Sequence, residues 1–404
     1  MRRNRERLAW AILLISFTLC VALAIGVPVG AQHLVRTARV RGDVLLEPQH
    51  GTPRLQRRGQ GPVVALVGPT WDIPAGTVIT TDESSRGLLT AYVPGGGLAP
   101  MATVQIYGET TLRLVGARSP RFSSSPLPHE VILEVPEGRV RIAVTSAEGR
   151  PSRVTVRTPD LEALLEEGSF EVRVHPSGSE LTVRSGEAQV STLAAERVNL
   201  IAAQRAVARS NPTSLEIVPA ERNLLVNGNF SAPLDEGWEV YHKDVQQEPP
   251  GTVQIESFGG RNVARFTRDG MGHAEVGIRQ RVDYDVRDFS SLTFHLNVMV
   301  LSQSLPGCGS LGSECPIIVR IDYEDVEGTD RVWYHGFYSV EKAAEDLLYP
   351  WDERIPPRVW YAFDSGNLVE TFDMPPAQIG TVSIYASGWS FDAMVTEVEL
   401  LAQE

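Results

Sequence analysis

HEVILEVPEGRVRIAV, residues 129–144, is the stretch that decides the fold class of most of this chain. Val131, Leu133 and Val135 recur at every second position, and after the turn Pro136-Glu137-Gly138 so do Val140, Ile142 and Val144. A period of two is that of a half-buried strand, and Gly with Pro at the break is turn chemistry. Working outward, Val154 and Val156, then Phe170, Val172 and Val174, then Leu181 and Val183, then Ala188 and Val190 repeat the pattern. Turns at Pro176-Ser177-Gly178 and Ser185-Gly186 separate them, so turn signals recur roughly every 8–12 residues, the spacing of a sandwich, barrel or solenoid. SPRFSSSPLPH (119–129) is a Pro/Ser loop that divides the strands into two sets, and only DLEALLEE (160–167) carries a helical pattern. The expectation is an all-β protein.

Upstream lies a different signal. MRRNRER (1–7) is followed by an apolar, uncharged run from Leu8 to Pro28. About 20 such residues suffice for a helix to cross a hydrocarbon core of ~30 Å. Arg2, Arg3, Arg5 and Arg7 precede it against the single Glu6, which places the N-terminus in the cytoplasm and the bulk of the chain outside. Val29-Gly30-Ala31 offers small residues to a signal peptidase, but the run exceeds the roughly 7–15 apolar residues of a cleaved signal, so a retained anchor is expected. Cys20 follows Leu19 where a lipobox needs a small residue, and reads as a membrane-buried cysteine.

Charge then divides the remainder. Residues 35–221 hold 20 basic and 20 acidic side chains, whereas residues 222–404 hold 13 basic and 29 acidic, a net charge of −16. The shift marks a domain boundary near 221, giving a tail 1–7, an anchor 8–28, a β domain 36–218 and a second domain 222–404. RAVARSNPTSLEIVPAER (205–222) reads as the linker. So acidic a distal domain argues against nucleic acid and anionic lipid as its partners, since both demand basic patches, although acidity that serves solubility alone is an equal alternative. It suits neutral glycans or divalent cations. Cys308 and Cys315 lie on the exported side in PGCGSLGSECP, without nearby histidines to complete a zinc site, and are expected to form a disulfide that rigidifies a loop.

The proximal segment resembles FecR domains. IPAGTVITTDESSRGLL (73–89) is similar to that family's G-x-x-I-x-T-x-x-x-S-x-A-x-L core, with Gly87 where Ala is common. VTVRTP (154–159) followed by GSFEV (168–172) resembles TP…GTxFxV, with Ser169 in place of Thr, and LTVRSGEAQV (181–190) resembles V-x-V-x-x-G-x-V-x-V. The physics of these positions is structural: Gly76 and Gly168 for unusual backbone, Ser84 and Ser85 after Asp82-Glu83 for a hydrogen-bonded turn. The resemblance implies a transmembrane regulator with a cytoplasmic anti-sigma region, yet seven residues cannot fold into one. Direct sigma-factor binding is therefore not expected, and an extracytoplasmic sensor, docking piece or spacer is.

The distal segment resembles galactose-binding-like jelly rolls of carbohydrate-binding modules. NLLVNGNF (223–230) with Gly237-Trp238 is similar to their opening, and IGTVSIY (379–385) with AMVTEVELL (393–401) to the paired closing strands. Thr396-Glu397 stands where Asp-Asp is common, which weakens any calcium ligand carried over there. Between them, strands are expected at 274–282, 291–300, 317–323 and 331–338. The resemblance implies a concave face for sugar. Trp351 and Tyr349 in a Pro-rich loop, with Trp360 and Tyr334, are the candidate ligand-facing residues, while Trp238 and Trp333 read as core. The acidic run DYEDVEGTD (322–330) lacks the EF-hand register and reads as a solvated turn, so no cofactor is expected beyond room for a structural calcium, and the metal question stays open.

No H-E-x-x-H, G-x-S-x-G or Walker loop occurs, and the eight histidines are scattered. The expectation is a single-pass, non-enzymatic surface protein that binds a glycan or cell-envelope partner through its C-terminal jelly roll. A purely structural or protein-docking envelope protein is the alternative, and a glycoside hydrolase, which needs two facing carboxylates, a weaker one.

Overall fold

The computed structural model describes residues 2–57, 62–95, 99–192, 197–210, 213–342 and 349–403, with backbone alone for residues 2–9, 11, 12, 210 and 213. It is mostly β, with one long helix at its N-terminus and a four-residue helix, Leu368–Thr371. The apolar run forms the middle of a helix, Arg2–Thr37, which continues well past residue 28 despite Pro28. Its Leu13–Thr37 segment has mean hydropathy 2.3, none of it is buried against protein, and it is long and apolar enough to cross a membrane.

From Arg39 onward the proximal domain is one connected network of fifteen strands among the described residues. His129–Val144 is its hub: the first half pairs with Thr111–Pro120 and Ser152–Arg157, the second with Pro100–Ile106 and Leu161–His175. The alternating residues Val131, Leu133, Val135, Val140, Ile142 and Val144 all enter one core, as the period predicts. Residues 160–167 are a correction. Leu161, Ala163 and Leu165 start a strand, Leu161–His175, because burying those three on one face against Val154 and Val190 outweighs the helical propensity of Leu and Glu. The 205–222 linker is a second correction. Gln204–Ser210 and Thr213–Pro219 form an antiparallel hairpin that closes the proximal sheet, with Ala206 and Ala208 fully buried, so only a few residues pass between domains.

Of the expected turns, Pro176-Ser177-Gly178 does separate Leu161–His175 from Gly178–Thr192. Pro136-Glu137-Gly138 and Ser185-Gly186 are a correction: they lie inside the continuous strands His129–Val144 and Gly178–Thr192, where Gly138 and Gly186 take positive φ (+91° and +85°) without ending the pairing. Ser84 and Ser85 both donate to the Asp82 carboxylate, at 3.1 and 2.6 Å. Gly168, at φ +152°, faces Ser185, whose carbonyl oxygen would lie 2.2 Å from any Cβ placed there.

The distal domain is a two-sheet sandwich. One sheet runs Thr252–Phe258, Arg261–Arg268, Phe391–Gln403, Ser291–Gln303, Tyr361–Asp364. The other runs Glu239–Lys243, Ala274–Asp285, Pro376–Gly388, Ile317–Asp325, Asp330–Tyr338, Asp352–Arg354. Their inner faces share a core that includes Phe266, Phe294, Phe337 and Val395, with Trp238 at 3% exposure and Trp333 half-buried against it. The two closing strands do not pair with each other. The turn at Gly388-Trp389-Ser390 carries the chain from one sheet to the other, so each strand sits centrally in its own sheet.

The first sheet's outer face abuts the proximal domain through charges. Arg139 bonds Glu171 at 3.0 Å within its own domain and Asp364 at 2.9 Å across the seam. Arg141, 3% exposed, reaches Glu399 at 3.0 Å and Glu397 at 3.2 Å, and Arg261 lies 3.7 Å from Glu397 while donating to Thr103. His295 faces this cluster fully buried, with neither ring nitrogen hydrogen-bonded. Burial first, then Arg141 and Arg139, hold the imidazole well below its usual 6.5, the attraction of Glu171 notwithstanding. Glu171 is pushed up by burial, but Arg139, Arg184, Arg173 and Arg141 outweigh that and hold its carboxyl far below 4.5.

Both shifts make the seam acid-labile. Below pH 6.5 the unfolded chain takes up a proton at His295 that the native state refuses, and below 4.5 the same holds at Glu171. Stability is therefore complete at pH 7 and declines as pH falls through 6.5, then more steeply below 4.5. Urea midpoints should fall between pH 7 and pH 5.5, and His295→Leu should flatten that interval; an equally steep decline in the variant would remove His295 from the account.

Candidate functional site

The second sheet of the sandwich turns its outer face away from the proximal domain, and strand register assigns what that face carries. One row crosses it as Glu239, Arg279, Ser383, Arg320 and Tyr334. The adjoining row runs Tyr241, Gly277, Tyr385, Ile318, Gly336 and Asp352. With neighbouring strands about 4.8 Å apart, each row is on the order of 20 Å long. Gly277 shapes the row: a Cβ there would lie 2.6 Å from Tyr241 Cε1 and 2.7 Å from Tyr385 Cβ, so its absence lets the Tyr241 ring lie across the sheet.

Two of the depressions on this face border these rows. The larger, a trough of about 900 Å³, is lined by Glu239, Tyr241, Glu275, Arg279, Arg320 and Ser383 among others. Its charges satisfy one another: Arg279 forks onto Glu239 at 2.9 and 2.7 Å, and Arg320 onto Asp322 at 3.0 and 2.6 Å. Burial, then the neighbouring Glu275, raises the Tyr241 phenol above its usual value, so it stays a neutral hydroxyl.

The smaller depression, about 220 Å³, is lined by Tyr334, Tyr349, Trp351, Asp352 and Tyr385 over Ile318. A closed turn presents its rim. The Tyr349 N–H donates to Asp352 Oδ2 at 3.0 Å, and the Asp352 N–H donates to the Tyr349 carbonyl at 3.0 Å. Held this way, the Tyr349 and Trp351 rings stack with centroids 4.5 Å apart and planes 4° from parallel, and Tyr334 lies 6.2 Å from Trp351. At 40% and 37% exposure, Tyr349 and Trp351 remain open to a ligand. Parallel aromatic faces beside hydroxyls and a carboxylate match a sugar, which has an apolar ring face and a polar edge.

The Cys308–Cys315 disulfide, with its Cα atoms 4.2 Å apart, builds the wall. Both cysteines are fully buried in a small cluster with Ile318 and Tyr338, onto which Tyr334 and Tyr385 pack. Gly336 leaves the room this needs, since a Cβ there would meet Cys315 Sγ and Asp352 Oδ1, each at 2.6 Å. The disulfide thus shapes the pocket locally. Because both sulfurs are spent on each other, they and Asp352 make no metal-ligand set. The acidic loop 322–330 is a capped turn: Asp325 accepts from the N–H groups of Glu327 and Thr329 at 2.8 and 3.0 Å and from Arg331 at 2.5 Å.

Of the four candidates named from sequence, the structure brings Trp351, Tyr349 and Tyr334 together. Trp360 sits elsewhere, half-buried at the seam. Its carbonyl accepts from Gln49 and its ring meets Phe258 edge-on at 6.4 Å. The reason is register: Tyr361–Asp364 joins the first sheet beside Ser291–Gln303, and so leads Trp360 toward the proximal domain. Asp352, Tyr385, Tyr241, Arg279 and Arg320 were missed. The alternation Ser383, Tyr385, Ser387 on the polar side of a closing strand was the available signal for Tyr385.

One further side chain organises the end of this sandwich. Arg268, 5% exposed, donates from Nε to Pro249 O at 2.7 Å, from Nη1 to the carbonyls of Gly272, Gly388 and Trp389 at 2.6–2.7 Å, and from Nη2 to Gln247 O and Met271 O at 2.8 and 3.4 Å. It fastens three loops, including the turn that links the two closing strands.

No family model and no curated protein matches the chain. Among solved structures, a candidate anti-sigma factor from Parabacteroides distasonis is similar over 35% of this chain and 59% of its own, at 19% identity and a TM-score of 0.27, so this chain spans about three fifths of its length. A family 11 carbohydrate-binding module of a Clostridium thermocellum cellulosomal cellulase is similar over 45% of this chain and 96% of its own, at 13% identity and a TM-score of 0.28. A xylan-binding module of Paenibacillus barcinonensis Xyn10C is similar over 46% of this chain and 98% of its own, at 10% identity and a TM-score of 0.27.

Proposed function

We propose that this chain is a membrane-anchored, extracytoplasmic, non-enzymatic protein whose C-terminal jelly roll binds a glycan of its surroundings, with the FecR-like domain as the arm that holds or relays it. The observation that carries the reading is the exposed, parallel Tyr349–Trp351 pair beside Tyr334 and Tyr385, at the end of a polar trough on the sheet face opposite the domain seam. Asp352 is the one carboxylate lining the aromatic pocket among the described residues, whereas glycoside hydrolysis uses two. That supports binding without turnover. The helix Arg2–Thr37, with Arg2, Arg3, Arg5 and Arg7 in its first turns, supports a single-pass anchor with a cytoplasmic N-terminus.

A glycan-array screen of the full chain in detergent tests this, followed by titration of the hits. Trp351→Ala should weaken binding by about tenfold, the order expected from the roughly 1–3 kcal/mol that stacking of a nucleobase on an aromatic side chain contributes. Near-ultraviolet circular dichroism checks that the variant is folded. If Trp351→Ala binds as tightly as the parent chain, the site is not this pocket. A folded chain that binds no glycan points to protein docking instead.

A further inference from the structure

We infer that the aromatic pocket recognises a cation, the ammonium group of an amine-bearing sugar, an inference that rests on the glycan-binding reading above and names its ligand class. Four rings line the depression, those of Tyr334, Tyr349, Trp351 and Tyr385, and ring faces attract a positive charge through their quadrupoles. The carboxylate of Asp352 lies among them.

Asp352 is the one carboxylate lining this pocket among the described residues, and unlike Glu239 and Asp322 on the same sheet face it has no cationic partner. Glu239 is held by Arg279, Asp322 by Arg320, and Glu353 by His335 at 3.0 Å and by the Tyr361 hydroxyl. Asp352 forms no ion pair with Arg, Lys or His among the described residues. Its Oδ2 accepts the Tyr349 N–H, and its Oδ1 has Cys315 Sγ as a neighbour at 3.7 Å, a disulfide sulfur with no proton to give. One carboxylate oxygen is thus left without a donor in a half-buried pocket, where burial raises its pKa above the usual 3.8. A half-buried anion without a partner costs free energy that an incoming ammonium offsets by a charge-assisted hydrogen bond. Neutral hexoses offer hydroxyl donors but no charge.

The surroundings agree. Arg320 is the cation nearest the rings, 5.8 Å from the Tyr334 centroid, and Asp322 at 2.6 Å neutralises it. Residues 222–404 carry a net −16, a field that draws cationic ligands in and repels anionic ones.

The test is calorimetric titration of the full chain in detergent with three oligosaccharides of equal length: a β-1,4-glucosamine oligomer, its N-acetylated counterpart and a cello-oligosaccharide. The glucosamine oligomer should bind about tenfold or more tightly than the other two, and the preference should shrink as salt is raised. Asp352→Asn keeps an oxygen for the Tyr349 N–H but removes the charge, and should erase the preference while leaving residual sugar binding. Trp351→Ala should remove both. Equal affinity for the amine and its acetylated form, or a preference that survives in Asp352→Asn, overturns the cation and leaves the glycan reading standing. A folded chain that binds neither these three nor any glycan on the array overturns both.

Discussion

Arg268→Ala is expected to lower the melting midpoint of the distal domain by about 10 °C, the largest loss from any single truncation near the site. The guanidinium reaches six backbone carbonyls from three loops, and no carboxylate among the described residues forms an ion pair with it. A buried acceptor that loses its donor costs about 1–3 kcal/mol, and water entering the vacated space recovers part of that sum. A net loss of about 3–5 kcal/mol is the order expected when one side of a buried charged contact is removed, and each kcal/mol moves the midpoint of a domain this size by roughly 2–4 °C. Arg268→Lys should recover only a fraction, because an ammonium has three donors and no planar fork to reach loops on opposite sides. The cage also bears on calcium. Carbonyls converging on one point are the ligands a hard cation takes, and here a covalently attached cation already occupies that point. Chelator should therefore leave the parent chain's midpoint unchanged. Thermal denaturation followed at the tryptophans reads all three; a drop of under about 2 °C in Arg268→Ala, a change within what surface substitutions give, would show that the loops are held by something else.

The strands were legible because their physics is local. Val131 to Val144 alternate, and that alternation survives into the fold. Of the Gly- and Pro-bearing breaks only the one at Pro176-Ser177 turns the chain; Pro136-Glu137-Gly138 and Ser185-Gly186 stay inside continuous strands because strand pairing carries through them. Residues 160–167 were misread because Leu and Glu have helical propensity, while the competing signal, burial of Leu161, Ala163 and Leu165 against neighbouring strands, depends on partners remote in sequence. The hairpin 204–219 was hidden for a similar reason. Its first strand sets small alanines between Arg205 and Arg209, and in its second Glu216 interrupts Leu215, Ile217 and Val218. At the site, aromatic residues in a Pro-rich loop were enough to single out Trp351 and Tyr349. Trp360, of the same type and only nine residues on, faces the domain seam, because pairing register alone decides which sheet a strand joins. Asp352 gave no sequence signal at all: what distinguishes it is its place among the pocket's rings with no cation beside it, a property of three-dimensional arrangement.

Arg141→Ala should split one unfolding transition into two. In the parent chain the seam is closed by Arg141 with Glu397 and Glu399, by Arg139 with Asp364, and by Arg261 with Thr103, mostly shielded from water. Domains joined through so many buried ionic contacts are expected to melt together in a single calorimetric peak. Truncating Arg141 leaves Glu399 buried without its cation, and removing one member of a buried pair costs about 3–5 kcal/mol, more than a small polar interface between domains tolerates. The distal domain should then unfold separately from the proximal one. The double variant Arg141→Leu with Glu399→Leu separates charge from packing: removing both charges eliminates the stranded carboxylate, and should restore much of the lost coupling. A single peak in Arg141→Ala, as sharp as in the parent, would mean that the seam does not depend on this cluster. Under the proposed function, the result decides how an event at the distal pocket reaches the helix Arg2–Thr37. With the seam closed, pocket, seam and helix-proximal strands move as one body, and a bound glycan can shift the orientation of the whole arm. With it open, the short passage after Pro219 uncouples them, and the distal domain can only tether.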